Sequence, residues 1–439
     1  MNEEEDPNDN EETEGKDNDT IDFETEYFWG KELRQDEKYN ESLQVFNKII
    51  NSESDNSTDM EYKFKSIKQS IKICFELNSI NDFMKYLDLF FDNLKNVNQQ
   101  YGELSLSKIL YRFDQNLKLN SSTSIEEDIF NKFYDKFMNY IGDDIVKNSI
   151  SERLYIRLNL SKSNILLNND KFEESSIILK ELELILMNEK TSESIKNTFL
   201  LDVLAFEMII STKYQFNLLE LKRLTTLANC SISGIPQSKI IGIIKESTGL
   251  ISMYEEDFKI ANVYFQDSFK NFNECGDFQR IEVLIKFIIS NLLSESEIDP
   301  FKSSDFNGFS IGFENISKLM KLYQFVQNVD ILNYNELIYN DFQFQKLVKS
   351  NYFISYFLPF VTELIQIKYI LKYLKLFKRV KFDKLSVKLN ITNSQLEDLL
   401  LKLVNLGKVD NIKLDLNKGI IENSDDDGDI FKEDELTSF

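Results

Sequence analysis

The chain has 439 residues, a formal net charge of −23, no histidine, three cysteines, four prolines and 13 glycines. Without imidazole there is no Ser–His or Cys–His nucleophilic pair, no histidine proton transfer and no histidine metal ligand. No GxxxxGK[ST] or GxGxxG phosphate loop occurs, and Cys74, Cys230 and Cys275 form no CxxC pair, so neither a zinc site nor a disulfide framework is expected.

Few breakers among abundant Leu, Ile, Lys, Glu and Phe predict helix almost throughout. The charge is unevenly placed. Residues 1–26 hold 13 acidic groups and one lysine, and residues 422–439 hold eight and one, leaving −4 to everything between. Two solvated acidic tails are therefore expected around a nearly balanced body. The N-terminus is acidic rather than basic-then-apolar, which is not the pattern of a secretory signal. The longest apolar stretch, Ile354 to Ile367, is interrupted by Pro359 and Glu363 and is expected to be too short to cross a bilayer. A reducing compartment, cytosol or nucleus, follows from the sparse cysteines.

Tyr27 to Ile50 predicts a helical hairpin, with Gly30 in its first helix and Tyr39, Ser42 and Phe46 in its second. The polar run Asn51 to Asp59 predicts a loop. From about Met60 to Leu77, Phe64, Ile67, Ile71, Cys74 and Phe75 share one helical face. Lys65, Lys68 and Lys72 stand in a row beside it, with Lys63 nearby. A row of ammonium groups on a rigid helix suits an acidic protein surface or a polyphosphate. Taken alone, it reads first as a solvated flank whose lysine stems cover the edge of the core.

Ile80 to Ile141 continues as paired helices. Ile150 to Glu189 holds a second hairpin, in which Ser163 precedes Phe172, Ser175 and Leu179 at the spacings of Gly30, Tyr39, Ser42 and Phe46. Helical period continues from Thr198 to Cys230 and breaks at Ser233, Gly234 and Pro236. The hairpin Ile240 to Gly276 repeats the device a third time with Gly249, Phe258, Ala261 and Phe265. Each time the two small residues are 12 apart, the mark of a tetratricopeptide-like hairpin, which cannot bury its face without neighbours. Ile281 to Leu293 predicts a buried helix, Ser294 to Gly312 a loop, and Leu319 to Lys349 two helices. The aromatics from Tyr323 to Tyr356 are expected in the core, because no basic residues are interleaved among them.

Around Pro359 the period changes. Val361 to Phe377 predicts a helix, Val380 to Leu389 a short apolar segment, and Ser394 to Leu406 a helix capped by Asn393 and ended by Gly407. Ile412, Leu414 and Leu416 alternate, Asn417-Lys418-Gly419 predicts a tight turn, and Ile420 and Ile421 return as a strand. This is a winged-helix order. Its candidate recognition helix, SQLEDLLLKLVNL, exposes Glu397 and Asp398 against the single Lys402. That is the wrong sign for a phosphate backbone, so protein docking is expected, not DNA binding.

Helical hairpins followed by a protein-docking winged helix resemble the PCI-domain family, the scaffolding subunits of the proteasome lid, the COP-nine signalosome and a translation-initiation complex. The resemblance is strongest to the signalosome branch. It rests on the acidic tail running into IDFETEYFWGKEL, on FKSIKQSIKICF, on the stretch IPQSKIIGIIKESTGLISMYEEDFKIANVYFQDSFKNFNECG, on IDPF after a helix ending in NLL, and on KFDKLSVKLNITNSQLEDLL.

The resemblance implies an all-α, right-handed, tetratricopeptide-like solenoid followed by a winged-helix domain with a small β-hairpin. The implied layout is an acidic tail over 1–26, helical repeats over 27–350, the winged-helix part of the PCI domain over 351–422, and an acidic tail over 423–439. It further implies a non-catalytic scaffold without cofactor or metal, in cytoplasm and nucleus. Such a scaffold clamps a cullin–RING ligase with its N-terminal repeats and joins other PCI subunits through its winged helix, while a metalloprotease subunit removes the ubiquitin-like modifier. Membership of the proteasome lid is the alternative. FKSIKQSIK falls on the family's basic patch, so Lys65, Lys68, Lys72 and Lys63 are the implied contacts to partner and to inositol hexakisphosphate. Gln99 and Leu104 stand where the family has basic residues. Beyond Glu422, where the family continues into a long bundle helix, NSDDDGDIFKEDELTSF has no apolar period, and a missing bundle strut is expected.

Overall fold

The computed structural model describes residues 22–52, 56–77, 79–94, 97–119, 131–138, 149–214, 216–232, 236–296, 299–302, 314–377, 379–409, 412–415 and 419–423. The tails before residue 22 and after 423, most of the loop predicted over Ser294 to Gly312, and the Asn417-Lys418 turn lie outside these residues. The chain forms two compact units that divide between Phe199 and Leu200.

The first unit is helical. It contains α1 (Phe23–Gln35), α2 (Tyr39–Asn51), α3 (Ser57–Glu76), α4 (Ile80–Asn93), α5 (Gln99–Leu119), α6 (131–138), α7 (Ser149–Asn168) and α8 (Phe172–Met187). Helix α1 starts at Phe23, four residues before the predicted Tyr27. Asp22 caps it by accepting a bond from the Glu24 amide, which ends the acidic run earlier than composition suggests. The core of this unit is unusually aromatic: Phe83, Phe113 and Phe133 stack with ring centroids 4.7 to 6.2 Å apart.

The second unit begins within α9 (Glu193–Lys213). It continues through α10 (Leu218–Ser231), α11 (Ser238–Tyr254), α12 (Phe258–Glu274), α13 (Gln279–Leu293), α14 (Glu314–Asn328), α15 (Ile331–Asn340) and α16 (Phe342–Ser350). The segment predicted as two helices from Leu319 to Lys349 is thus three. The chain breaks at Val329, which takes φ of 56°, and again at Asp341, and each break starts a new helix, with Asp330 and Asp341 as side-chain caps.

The three hairpins share one geometry, α1 with α2, α7 with α8, and α11 with α12. The Ser42 hydroxyl donates to the Gly30 carbonyl at 2.7 Å, and the Ser175 hydroxyl to the Ser163 carbonyl at 3.3 Å. A methyl added at Gly30 would come 2.7 Å from the Phe46 ring, and one at Gly249 would come 2.8 Å from the Phe265 ring. At Gly30 and Gly249 a ring of the facing helix fills the space that a side chain would need. Seven residues after each small residue, Glu37, Asp170 and Glu256 take φ of 62°, 58° and 63°. The following amide bonds back five residues, Lys38 to Leu33, Lys171 to Leu166 and Asp257 to Ser252. That is the helix-ending Schellman turn, made here without glycine.

The winged helix comprises α17 (Tyr352–Leu376), β1 (Arg379–Lys381), α18 (Phe382–Leu389), α19 (Asn393–Asn405), β2 (Ile412–Asp415) and β3 (Ile420–Asn423). The predicted hairpin is part of a three-stranded antiparallel sheet in the order β1–β3–β2, with Val380 opposite Ile421 and Leu414 opposite the same residue on its other side. Three residues are too few to show alternation, so β1 was not legible. Thr392, not Asn393, caps α19: its side chain accepts from the Gln395 amide, and Gln395 returns the bond in a capping box.

Helix α17 runs without a break through Pro359, against the predicted interruption. Packing at Ile354, Phe357, Val361, Ile365 and Ile370, all buried, outweighs the one backbone bond that proline removes. By length and composition α17 would suffice to cross a bilayer. Its buried stripe against α13, α15 and α16 makes it a core helix. The predicted core aromatics divide accordingly: Tyr323, Tyr334, Phe344 and Phe353 are buried, whereas Tyr339, Phe342, Tyr352 and Tyr356 are exposed.

Candidate functional site

Three helices of the first unit build a basic cleft. In α3 the residues at steps of 3 and 4, Phe64, Ile67, Ile71 and Cys74, are fully or almost fully buried. Lys68 and Lys72 each follow a buried isoleucine, so they stand at the rim of that face, one turn apart. Helix α5 repeats the pattern, with Lys108 beside Ile109 and Arg112 beside Phe113. Arg157 of α7 completes the wall. Together they enclose about 470 Å³ over an apolar floor that includes Ile71, Phe75 and Ile109, with Leu104, Ser105, Ser107 and Tyr111 at its sides.

Five cations thus line one cleft, and no carboxylate lines it. Lys72, Lys108, Arg112 and Arg157 have no ion pair among the described side chains. Burial pushes Lys68 down to about 8, helped by the charges of Lys108 and Lys65. Burial likewise pushes Lys72 down to about 8, helped by Arg112, Arg34, Lys68 and Lys108. Like charges held together out of water are costly, and an incoming polyanion relieves both terms at once. Lys68 is also held in place, donating to the Tyr101 hydroxyl at 3.0 Å with its ammonium 4.2 Å from the ring centre.

The predicted row is therefore divided. Lys68 and Lys72 enter the cleft. Lys65 does not line it: its ammonium pairs with Glu61 at 2.7 Å and sits over the Tyr62 ring. Burial would lower Lys65, but the bond to Glu61 and that carboxylate's charge outweigh it and hold the lysine above its ordinary value. Lys63 is buried and also lies outside the cleft lining. Lys108, Arg112 and Arg157 were missed. The α5 pair carries a signal of the same kind as Lys68 and Lys72, two cations four residues apart, each next to a buried apolar residue, here the one that follows it. It also restores charge one and two turns beyond Leu104, where the resemblance led to an expected loss. Arg157 has no local signal, since only the packing of α7 on α5 brings it there.

At the other end of the chain, α19 of the winged helix carries Glu397 and Asp398 against a single lysine. Lys402 of α19 is paired with Glu363 of α17 at 2.6 Å. Leu396, Leu399, Leu400 and Leu403 are buried, while Val387, Leu401, Val404 and Leu406 are exposed apolar residues on and beside α18 and α19. Among the described residues no group of three or more acidic or sulfur side chains could hold a metal ion.

Residues 338–425 match the PCI domain. The chain is 27% identical to the COP9 signalosome complex subunit 2 of Caenorhabditis elegans, over 88% of this chain and 74% of that protein. It is 26% identical to the protein of the same description in Dictyostelium discoideum, over 88% and 82%, and in Schizosaccharomyces pombe, over 88% and 84%. These likenesses agree with the non-catalytic, scaffold-type reading. A helical-repeat chain with a PCI domain at residues 338–425, it is similar to the second subunit of the COP9 signalosome along almost nine-tenths of its length.

Proposed function

We propose that this protein is a non-catalytic scaffold subunit of a COP9 signalosome, acting in cytoplasm and nucleus. Its N-terminal helices hold the cullin–RING ligase while a metalloprotease subunit removes the modifier, and its PCI winged helix docks on other PCI subunits. The extent of the likeness to subunit 2 proteins carries this reading. The exposed apolar residues of α18 and α19 suit docking on protein. The basic cleft is the proposed seat of inositol hexakisphosphate or an acidic partner surface, with Lys68, Lys72, Lys108, Arg112 and Arg157 as its cations. Lys65 and Lys63 then serve at its margin. A strongly charged ligand gains most where the receiving cations are already partly desolvated and rigidly spaced.

Native pull-down followed by mass spectrometry tests the assembly. Recovery of other signalosome subunits, a metalloprotease subunit and cullins is expected; recovery of proteolytic core subunits instead would assign the chain to the proteasome lid. For the cleft, Lys72→Glu with Arg112→Glu is expected to weaken cullin–RING binding at least tenfold, on the basis of two lost charge-assisted contacts, with unchanged helical circular dichroism. Binding that is unchanged would remove the cleft from the proposed interface.

A further inference from the structure

The cleft has a potential occupant within the same chain. Residues 1–21 carry ten carboxylates and one lysine, and they join the described structure at Asp22, the cap of α1. Helix α1 lies along α3, the helix that supplies Lys68 and Lys72. Near its start, Glu24 faces the Tyr62 hydroxyl, and the Tyr27 and Tyr62 rings are 5.7 Å apart. Near its end, Arg34 bonds Gln69 at 2.8 Å and Glu76 at 2.5 Å. The acidic segment therefore enters beside Tyr62. Lys72 is ten residues further along α3, about 15 Å away at the helical rise. Twenty-one residues can span at most about 70 Å, so the cleft is within reach of the segment.

Resting on the reading of this cleft as a polyanion site, we propose that the acidic segment 1–21 folds back into it and competes with the incoming anion. Complementary charge supports this pairing: the cleft has five cations and no lining carboxylate, and the segment has a net charge of −9. The covalent tether keeps the segment at high effective concentration, so weak individual contacts suffice. Its contacts are electrostatic and unspecific in sequence, so a compact polyphosphate of higher charge density displaces it. Once displaced, it is free to meet a basic partner.

The test is calorimetric titration with inositol hexakisphosphate at low salt. The full chain is compared with a chain lacking residues 2–21, a chain whose ten tail carboxylates are replaced by amides, and a chain lacking residues 424–439. If the segment fills the cleft about nine-tenths of the time, removing or neutralising it raises affinity roughly tenfold. The gain should vanish at 0.5 M NaCl, where screening acts within a few ångströms. Removing 424–439 should change nothing. A carbodiimide, which joins carboxylates to amines in direct contact, should link residues 3–19 to Lys68, Lys72 or Lys108. Equal affinities together with no such cross-links would overturn the proposal while leaving the cleft an anion site. An effect of the C-terminal deletion alone would overturn it in favour of the other tail. If no variant binds the probe, the anion reading itself fails, and the cross-links alone decide whether the tail contact exists.

Discussion

Proton linkage at the cleft provides a sharp measure of its chemistry. In the free protein Lys68 and Lys72 are both pushed down to about 8, chiefly by burial and then by neighbouring cations. A bound polyanion stabilises the charged form, so both lysines return toward their ordinary value of about 10.4 when the cleft is filled. Binding therefore takes up protons, and affinity must fall as pH rises through 8. For a group moving from about 8 to about 10.4, the affinity ratio between pH 7 and pH 9 is roughly tenfold, and two independent groups give roughly a hundredfold. Partial exposure and coupling of the two lysines reduce this, so a loss of ten- to a hundredfold is expected. The probe should be inositol hexasulfate, whose sulfates keep their charge throughout this range, measured by calorimetry in buffers of different ionisation enthalpy. Lys68→Arg with Lys72→Arg, which cannot lose charge, should flatten the profile and retain binding. An affinity that is level or rises between pH 7 and pH 9 would refute the linkage. The sign for folding is the reverse of a paired lysine. The folded pKa lies below the unfolded one, so these two groups cost stability below pH 8, and the cost is relieved between pH 8 and about 10.4.

Three further outcomes concern the scaffold. Gly249→Ala places a methyl 2.8 Å from the buried Phe265 ring and should cost about 1–3 kcal/mol in urea unfolding, whereas Gly242→Ala, at 3.1 Å from Phe272, should cost less. Glu37→Gly, Asp170→Gly and Glu256→Gly each remove a side chain from the left-handed region and should stabilise, or at worst leave unchanged, by up to about 1 kcal/mol; a clear loss of melting temperature would contradict the shared turn geometry. Glu246 is buried in a bond to the Lys286 ammonium and accepts from Gln279 at 2.7 Å, so Glu246→Ala leaves a mostly buried ammonium unpaired and should cost about 3–5 kcal/mol, with much of the loss recovered in Glu246→Ala/Lys286→Met.

What this polypeptide settled locally was legible from its order of residues. The hairpin device was readable because its parts are 3, 4, 9 and 12 residues apart, within reach of one helical turn or one hairpin. The closeness of Gly249 to Phe265 is the direct consequence of that spacing. The winged helix was readable for the same reason, since α19, its end at Gly407 and the β2–β3 pairing are each set by near neighbours. Three features depended on distant partners and were misread. Strand β1 takes its conformation from β3, some 40 residues later, and its three residues carry no period of their own. Pro359 stays inside α17 because α13, α15 and α16 cover that helix. The lysine row of α3 looked like one unit, but α5 and α7 face Lys68 and Lys72, while Lys65 pairs with Glu61 one turn back on α3 itself. Local spacing determines which side chains share a helix face. Only the packing of one helix on another decides which faces meet, and therefore whether a row of charges is a solvated flank or one wall of a cleft.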